Sequence, residues 1–196
     1  MNLNEFIDAY NKTGVIVLVG GKRAVYPEDE EKIHDLGRLL AEKMNLVHFR
    51  SGNAMGTDEL FAKGVSSVDP SRMHVVIPDS EHRKKARKGL KSYSLDDMPI
   101  LNEDRIIYET RKNKKTAHLV DGYLEGVRGK TSHIIAPIFR NSVMVLGQGD
   151  LTPATVGVFY LDLADPDAGG TGFTKNLCHL EDVPVIDQRT WFEWVK

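Results

Sequence analysis

Short apolar runs alternate with helical patterns along the first part of the chain, and this alternation constrains the fold more than any other sequence feature. The runs cover residues 15–19, 46–49 and 73–77, and β-branched or other apolar residues dominate each of them. Continuous runs of this length are typical of strands that a parallel sheet buries on both faces. Such strands in alternation with helices predict right-handed crossovers and helices on both faces of the sheet. We therefore predict an α/β fold with a doubly wound, mainly parallel sheet.

The other elements follow from the spacing of apolar residues and from helix-stopping residues. Helices are predicted over residues 3–13, after Pro27, over 57–65 and 116–124, and from 169–174 to near Glu181, with strands at 156–161 and 183–186. The charged segment after Pro78 completes a third strand–helix unit, 90–104 is predicted as a long loop or partial lid, and 126–130 breaks the pattern. Residues 138–146 fit a strand or a buried helix. Trp191 and Trp194 are predicted to anchor a terminal turn in the core.

The composition is that of an ordinary globular domain. The chain has 196 residues, of which 41% are hydrophobic, and a formal net charge of -2. Because domains usually hold ~100–200 residues, we predict one domain over residues 1–196. The single cysteine, Cys178, excludes a disulfide framework and favours a reducing compartment. The sequence shows neither an export-signal pattern nor the ~20 apolar residues that a membrane helix needs, so we expect a cytoplasmic protein.

Three glycine-rich segments follow predicted strands or begin predicted helices. Their candidate phosphate-binding residues are Gly20, Gly21, Lys22 and Arg23 in the first segment, Ser51, Gly52, Asn53, Gly56 and Thr57 in the second, and Gly169, Gly170, Thr171, Gly172 and Thr174 in the third. A glycine-rich turn before a helix presents free backbone N–H groups and the positive end of the helix dipole, which favours anions. The pattern therefore predicts a phosphate or nucleotide site, although glycines and hydroxyls also close turns and cap helices without any ligand.

The order of these segments resembles that of the SLOG superfamily. This Rossmann-like group includes the LOG phosphoribohydrolases, also called lysine decarboxylase-like proteins, the DNA processing protein A fold and nucleotide-sensing domains. The resemblance spans roughly residues 15–191 and rests on Val-Gly-Gly-Lys-Arg at 19–23, Ser-Gly-Asn-Ala-Met-Gly-Thr-Asp at 51–58, and Gly-Gly-Thr at 169–171 before Pro-Val-Ile at 184–186. Arg140 and Asn141 match an Arg-Asn pair that often precedes the late strand of the superfamily, and they join the candidate ligand contacts.

The resemblance also implies an assembly state and a ligand class. Members of the superfamily are often dimers or larger homo-oligomers, so residues 3–10 and the segment around Trp191 are interface candidates by analogy. The Rossmann-like fold of the group implies a nucleotide ligand at the carboxyl ends of the strands. Lys22, Arg23 and Arg140 are the cations that would reach its phosphate.

Two departures from the family pattern bear on catalysis. Asn53 stands where the family usually has a second glycine, and Thr174 and Lys175 stand where the LOG enzymes have a catalytic glutamate. The carboxylates nearest to the second segment are Asp58 and Glu59, which are the candidate catalytic residues. A phosphoribohydrolase needs a carboxylate to stabilise an oxocarbenium-like sugar and to orient a water. Asp58 is equally suited to hold the turn or to bind a ribose hydroxyl.

Three functions remain open on the sequence. The first is nucleotide binding by a sensor, a carrier or a weak nucleotide hydrolase. The second is a LOG-type enzyme that cleaves the N-glycosidic bond of a nucleoside monophosphate, which the altered late motif disfavours. The third is single-stranded DNA binding, which the basic residues between 82 and 115 support, whereas the net acidity and the lack of an evident aromatic platform oppose it.

The histidines, the cysteine and the basic runs have structural interpretations. None of the seven histidines shows the H-x-x-x-H or H-E-x-x-H spacing of a zinc site, so no metal site is predicted. His48 and His74 lie on predicted strands and are expected to be core histidines. Cys178 has apolar neighbours and is expected to be a small core residue. The basic runs at 83–91 and 105–115 are expected to be solvated helix faces.

Overall fold

Six parallel strands form one sheet in the computed structural model, which describes residues 1–98, 103–126 and 132–196. The strands are β1 (Ile16–Gly21), β2 (His48–Ser51), β3 (Met73–Ile77), β4 (Lys91–Ser94), β5 (Val156–Tyr160) and β6 (Val185–Asp187). Their spatial order is β4-β3-β2-β1-β5-β6, and each neighbouring pair is parallel. The order changes direction between β1 and β5, as in a doubly wound fold. The predicted fold class is confirmed.

Helices cover both faces of this sheet. They are α1 (Leu3–Tyr10), α2 (Pro27–Lys43), α3 (Thr57–Ser66), α4 (Asp104–Arg111), α5 (Val120–Leu124), α6 (Ser132–Leu146), α7 (Gly169–Leu180) and α8 (Gln188–Trp191), with 3₁₀ turns at Pro70–Arg72, Leu95–Asp97, Ala117–Leu119 and Phe192–Trp194. The first face packs against α1, α2, α3 and the C-terminal turns, and the second packs against α4, α5, α6 and α7.

The central strands divide their side chains between two apolar cores. In β1, Val17 and Val19 belong to the core that includes α2 and α3, whereas Leu18 belongs to the core that includes α6. In β3, Val75 and Val76 divide in the same way. Successive side chains of a strand point to opposite faces, so a sheet covered on both faces requires an apolar residue at every position. This requirement explains the continuous apolar runs in the sequence.

Helices α2 and α3 approach each other at backbone distance. A Cβ atom on Gly64 of α3 would lie 2.8 Å from the amide nitrogen of Arg38 in α2, and closer still to the carbonyl oxygen of His34. Close-packed interiors leave no room to absorb such an atom. The absence of a side chain at Gly64 therefore fixes how closely α3 lies against α2 and where the start of α3 meets the sheet.

The segment between β3 and α4 differs from the prediction. The charged residues after Pro78 form turns over 80–89 rather than a helix, so the basic run there is not a helix face. Ala86 is the single apolar residue from 79 to 89, and a helix here would have no apolar face to bury. Within the predicted loop at 90–104, β4 is an edge strand with a polar Lys-Ser-Tyr-Ser sequence, which no apolar run announces. Residues 99–102 lie outside the described residues.

The remaining predictions for helices, core residues and histidines are confirmed in part. Residues 138–146 belong to the helix α6, which contains Pro137, and not to a strand. Trp191 and Trp194 are buried in the first core, as predicted. His74 is buried, but His48 is exposed, so its assignment as a core histidine is wrong. Most of the predicted break at 126–130 lies outside the described residues. The single domain and the homo-oligomer stay predictions.

Cys178 is fully buried on α7 in the second core, as predicted. Burial raises the pKa of its thiol to about 12, so the thiolate form is strongly disfavoured at neutral pH. No helix in the described part of the chain is long and apolar enough to cross a membrane.

Candidate functional site

A cavity of about 480 Å³ opens at the carboxyl ends of β1 and β5, where the strand order changes direction. Open α/β sheets place their ligand sites at this position. The lining residues are Gly20, Gly21, Lys22, Arg23, Ala54, Asp58, Arg140, Asn141, Met144, Phe159, Leu161, Asp162, Asp165, Pro166, Ala168, Gly169, Gly170, Thr171 and Thr174. All three glycine-rich segments therefore contribute to one cavity.

The predicted site residues divide into two groups. Those that line the cavity are Gly20, Gly21, Lys22, Arg23, Asp58, Arg140, Asn141, Gly169, Gly170, Thr171 and Thr174. Those that do not line it are Ser51, Gly52, Asn53, Gly56, Thr57, Glu59 and Gly172. The second group lies mostly in the segment after β2. The glycine-rich motif at residues 51–58, which is the most distinctive in the sequence, therefore contributes few residues to the cavity lining.

The end of β1 is tied to both helices that flank the cavity. Gly20 and Gly21 belong to the strand itself, where they pair with Phe159 and Tyr160 of β5. The hydroxyl of Thr57, at the start of α3, donates to the carbonyl oxygen of Lys22 at 2.9 Å. The hydroxyl of Thr171, in the first turn of α7, donates to the carbonyl oxygen of Gly21 at 2.9 Å. These two bonds fix α3 and α7 on either side of the strand end.

The turn between β2 and α3 is shaped by the protein's own atoms. Gly56 has a φ of 76°, in the left-handed region that favours glycine, and a Cβ atom there would overlap the backbone of Arg23. One carboxylate oxygen of Asp58 accepts from the backbone N–H groups of Gly52 at 2.9 Å and Ala54 at 3.2 Å. A carboxylate thus occupies the anion-binding N–H groups of this turn, which are therefore not free for a phosphate.

Arg140 and Asn141 of α6 connect the β2 turn to the start of α7. The buried guanidinium of Arg140 donates to the carbonyl oxygen of Gly52 at 2.5 Å and, through two nitrogens, to the side-chain oxygen of Asn141 at 2.8 and 3.1 Å. The amide nitrogen of Asn141 donates to the carbonyl oxygen of Gly170 at 3.1 Å. The pair therefore holds opposite walls of the cavity in a fixed relation.

The start of α7 faces the cavity without a side-chain cap. Its N-cap residue, Ala168, supplies no side-chain acceptor, and the hydroxyl of Thr174 is turned to the carbonyl oxygen of Gly170 at 2.8 Å. The first N–H groups of a helix have no partner within the helix and carry the positive end of its dipole. Gly169 and Gly170 leave this helix end open to an anion.

Charges of both signs line the cavity. The cations are Lys22, Arg23 and Arg140, and the carboxylates are Asp58, Asp162 and Asp165. Lys22 lies 3.4 Å from Asp162, and its ammonium lies 4.4 Å from the centre of the Tyr26 ring. Arg23 is exposed at the mouth of the cavity. Arg23 is therefore the accessible cation, Lys22 is half-buried and paired with Asp162, and Arg140 is committed to protein oxygens.

Burial acts on both charged groups at the floor of the cavity. It raises the pKa of the Asp58 carboxyl, although the nearby Arg140 guanidinium and the two N–H donors act in the opposite direction. Burial likewise lowers the pKa of Arg140, against the attraction of Asp58. Each group thus offsets part of the desolvation cost of the other.

The two candidate catalytic carboxylates have different surroundings. Asp58 lines the cavity but its accepting oxygen is held by the β2 turn. Glu59 does not line the cavity: its carboxylate pairs with Lys63 at 2.9 Å and with Arg83, and these hydrogen bonds lower its pKa. The described residues contain no group of three or more His, Cys, Asp or Glu side chains arranged to hold a metal ion.

The loop between β5 and α7 supplies cavity residues that sequence reasoning missed. Leu161, Asp162, Asp165 and Pro166 all line the cavity. A signal for them existed, because an Asp- and Pro-rich stretch directly after a buried parallel strand stands at the edge where ligand sites form. Met144 carried no such signal, since it lines the cavity from the last turn of an apolar helix.

Comparison with solved structures relates this fold to a known protein. The chain is similar to DNA processing protein A from Helicobacter pylori, described for its single-stranded DNA binding mode, with a TM-score of 0.52 and 16% identity, covering 95% of this chain and 68% of that one. It is also distantly similar to TM1055, a structural genomics target, with a TM-score of 0.48 and 16% identity, covering 87% of this chain and 72% of that one.

Sequence comparisons add no closer relationship. No protein-family model matches the chain, and no curated protein matches it significantly. At 16% identity the likeness to DNA processing protein A concerns the fold alone. The chain has a Rossmann-like fold similar to that of DNA processing protein A, as its three glycine-rich segments predict.

Proposed function

We propose that the cavity between β1, β5 and α7 binds the phosphate of a nucleotide or nucleotide derivative. The observation that carries this proposal is the uncapped start of α7, which opens into the cavity beside Lys22 and Arg23. Free N–H groups, a helix dipole and two lining cations together favour a phosphate over a neutral ligand. A cavity of about 480 Å³ also lies within the range of small-molecule sites.

Exposed apolar side chains close in sequence to the lining residues favour a ligand that carries a base. Tyr26, Met55 and Leu163 are exposed, and each is close in sequence to a lining residue. Exposed aromatic and apolar groups beside a phosphate site offer a flat ring a surface to pack against. Tyr26 also contacts the ammonium of Lys22, which lines the cavity.

Recognition fits the carboxylates better than hydrolysis does. The accepting oxygen of Asp58 is occupied by backbone N–H groups, and Glu59 lies in a separate ion-pair cluster. Lys175, which follows Thr174 in place of the LOG glutamate, pairs with Asp167 at 2.6 Å. A sensor or carrier of nucleotides is therefore the favoured reading, and the phosphoribohydrolase is the alternative.

A carboxylate at the start of α7 is expected to weaken nucleotide binding strongly without unfolding the chain. Gly170→Asp places negative charge where the phosphate would lie, and we expect at least about a tenfold weaker affinity for adenosine monophosphate. An acidic residue in the first turn is favourable to the helix, and the added Cβ meets just the Asn141 amide, at 3.1 Å. Thermal shift and calorimetric titration measure the two effects.

Asn4→Asp is the matched control for this variant. Asn4 is exposed and occupies the second position of α1, the same helix position as Gly170 in α7, so the charge change is identical. The control should bind like the wild type. Equal affinity of both variants, or a wild type that no nucleotide stabilises, would refute the proposed site. Release of free adenine from adenosine monophosphate, followed by chromatography, distinguishes an enzyme from a binding protein.

Single-stranded DNA binding is a second candidate, favoured by a basic surface next to the cavity. The turns at 80–89 follow β3 at the same edge of the sheet and expose Lys84, Lys85 and Lys88. They are attached to the β2 turn, since Arg83 donates to the carbonyl oxygen of Asn53 at 2.9 Å. The similar DNA processing protein A is described for single-stranded DNA binding.

Removing the exposed lysines tests this second candidate. We expect the triple change of Lys84, Lys85 and Lys88 to Gln to weaken oligonucleotide binding and to reduce the salt slope by about two, at roughly 0.7 per lost phosphate contact. Adenosine monophosphate binding should be unchanged. The control replaces three exposed lysines elsewhere, Lys12, Lys43 and Lys196. Identical salt slopes for both triple variants in fluorescence anisotropy would exclude this surface as a nucleic-acid site.

A further inference from the structure

A row of side chains that can carry positive charge crosses β2, β3 and β4, on the side of the sheet away from β5. The strand register aligns Arg50 of β2 with His74 of β3, and His74 with Lys91 of β4. Aligned residues of neighbouring strands point to the same face and lie roughly 5 Å apart. We call these three side chains the basic rung. It lies on the face covered by α6, because Arg50 donates to the carbonyl oxygen of Met144.

Aromatic contacts hold the ring of His74 in place. The ring of His48 stacks on it at 4.5 Å between centres, and the ring of Tyr93 meets it edge-on at 5.7 Å. The Lys91 ammonium lies 5.3 Å from the centre of the Tyr93 ring. His48 and Lys91 are exposed, so the rung is reachable from solvent at one end, while Arg50 closes the other end inside the protein.

No carboxylate of the described residues pairs with the basic rung or with His48. Arg50 is 1% exposed, and it donates to two carbonyl oxygens, those of Met144 at 3.1 Å and Thr152 at 2.7 Å. Its Nε is buried without a hydrogen-bond partner. A buried arginine normally has a carboxylate or a full set of acceptors, because an unpartnered donor is costly.

The uncompensated charge affects the acid–base behaviour of these groups. Burial first, and then the proximity of His48, Lys91 and Arg50, lowers the pKa of His74 to about 4. Burial lowers the pKa of Arg50 to about 10. Each of the charged groups that act on His74 is a cation or can become one, so a bound anion would relieve the repulsion among all of them.

We propose that the basic rung is a binding site for a small oxyanion, of which inorganic phosphate is the probe. An ammonium, imidazole N–H groups and a guanidinium lie side by side on one face of three neighbouring strands, and such a set of donors suits an oxyanion with several acceptor oxygens. The solvent-accessible end of the site lies at the amino-terminal ends of β3 and β4, where His74 is the second residue and Lys91 the first, whereas the cavity lies at the carboxyl ends of β1 and β5. It is therefore independent of the proposed nucleotide site.

Histidine resonances provide a local test of this site. Inorganic phosphate is titrated into the Gly170→Asp chain, which blocks the cavity, at constant ionic strength and neutral pH. The expected result is a saturable shift of the His48 and His74 ring resonances, assigned with His48→Gln. Lys91→Glu should weaken phosphate binding by more than about tenfold, since it places a like charge beside the anion. Lys12→Glu, at an exposed position elsewhere, should leave it unchanged.

Two outcomes would overturn the proposal. One is a shift of the histidine resonances that stays linear in phosphate, as a general salt effect does. The other is equal phosphate affinity in Lys91→Glu and Lys12→Glu. Neither outcome bears on nucleotide binding in the cavity, because the Gly170→Asp background separates the two sites.

Discussion

Arg140→Met is expected to lower the free energy of unfolding by about 3–5 kcal/mol, the range for removing one partner of a buried charged network. The substitution leaves the carbonyl oxygen of Gly52 and the side-chain oxygen of Asn141 without their buried donors. It also removes the cation that offsets the burial of Asp58, whose pKa should rise further. Both effects destabilise the folded chain. Methionine replaces the volume of the arginine side chain, but it supplies neither the hydrogen-bond donors nor the positive charge.

Urea unfolding followed by circular dichroism measures this loss. The matched control is Arg105→Met, because Arg105 is an exposed arginine whose ion pair with Glu181 is on the surface, where such pairs contribute little. If the two substitutions had similar effects, the bonds between Arg140, Gly52 and Asn141 would not be a main support of the cavity walls. Arg140→Lys should recover a part of the loss, since it restores the charge but not the planar set of donors.

Gly64→Ala is the second change with a large expected effect, a loss of about 3 kcal/mol in the free energy of unfolding. The added methyl group would press against the backbone of α2 at His34 and Arg38, and backbone atoms cannot rotate away as a flexible side chain can. Alanine is a better helix former than glycine by about 1 kcal/mol. A net loss would therefore mean that the clash exceeds the gain in helix propensity.

Gly170→Ala is the control for this prediction. Its Cβ would meet just the side-chain amide of Asn141, at 3.1 Å, so the helix should tolerate it with a small change in stability. Thermal and urea unfolding of both variants give the comparison. A Gly64→Ala chain as stable as the wild type would mean that α2 and α3 can separate without cost, contrary to the packing described above.

The sequence predicted the central strands well, because of a simple physical requirement. β1, β3 and β5 are buried on both faces, so they are apolar at nearly every position, with His74 of β3 as the exception, and their runs are visible without any structure. β4 escaped prediction because it is an edge strand with one neighbour, and its Lys-Ser-Tyr-Ser sequence does not need to fill a core. The charged residues before it resembled a helix by composition, yet they offer no face to bury.

The candidate site was predicted in part. The glycine-rich segments do surround one cavity, but their glycines have different structural roles. Gly52 and Gly56 make room for Arg140 and Arg23 of the protein itself, whereas Gly169 and Gly170 keep the start of α7 open. A sequence pattern indicates that a backbone approaches something closely, but it does not say whether that partner is a ligand or the same chain.

The sequence by itself determined the doubly wound sheet, its two apolar cores and the edge at which a ligand site forms. These properties depend on the spacing of apolar side chains within each helix or strand, which can be read from neighbouring residues in the sequence. The tertiary structure alone decided which donors remain free. Asp58 occupies the N–H groups after β2, the Arg140 and Asn141 pair is committed to Gly52 and Gly170, and Lys22 is shared with Asp162, which leaves the start of α7 and Arg23 for an anion. Hydrogen-bond partners distant in sequence make that decision, and no local pattern contains them.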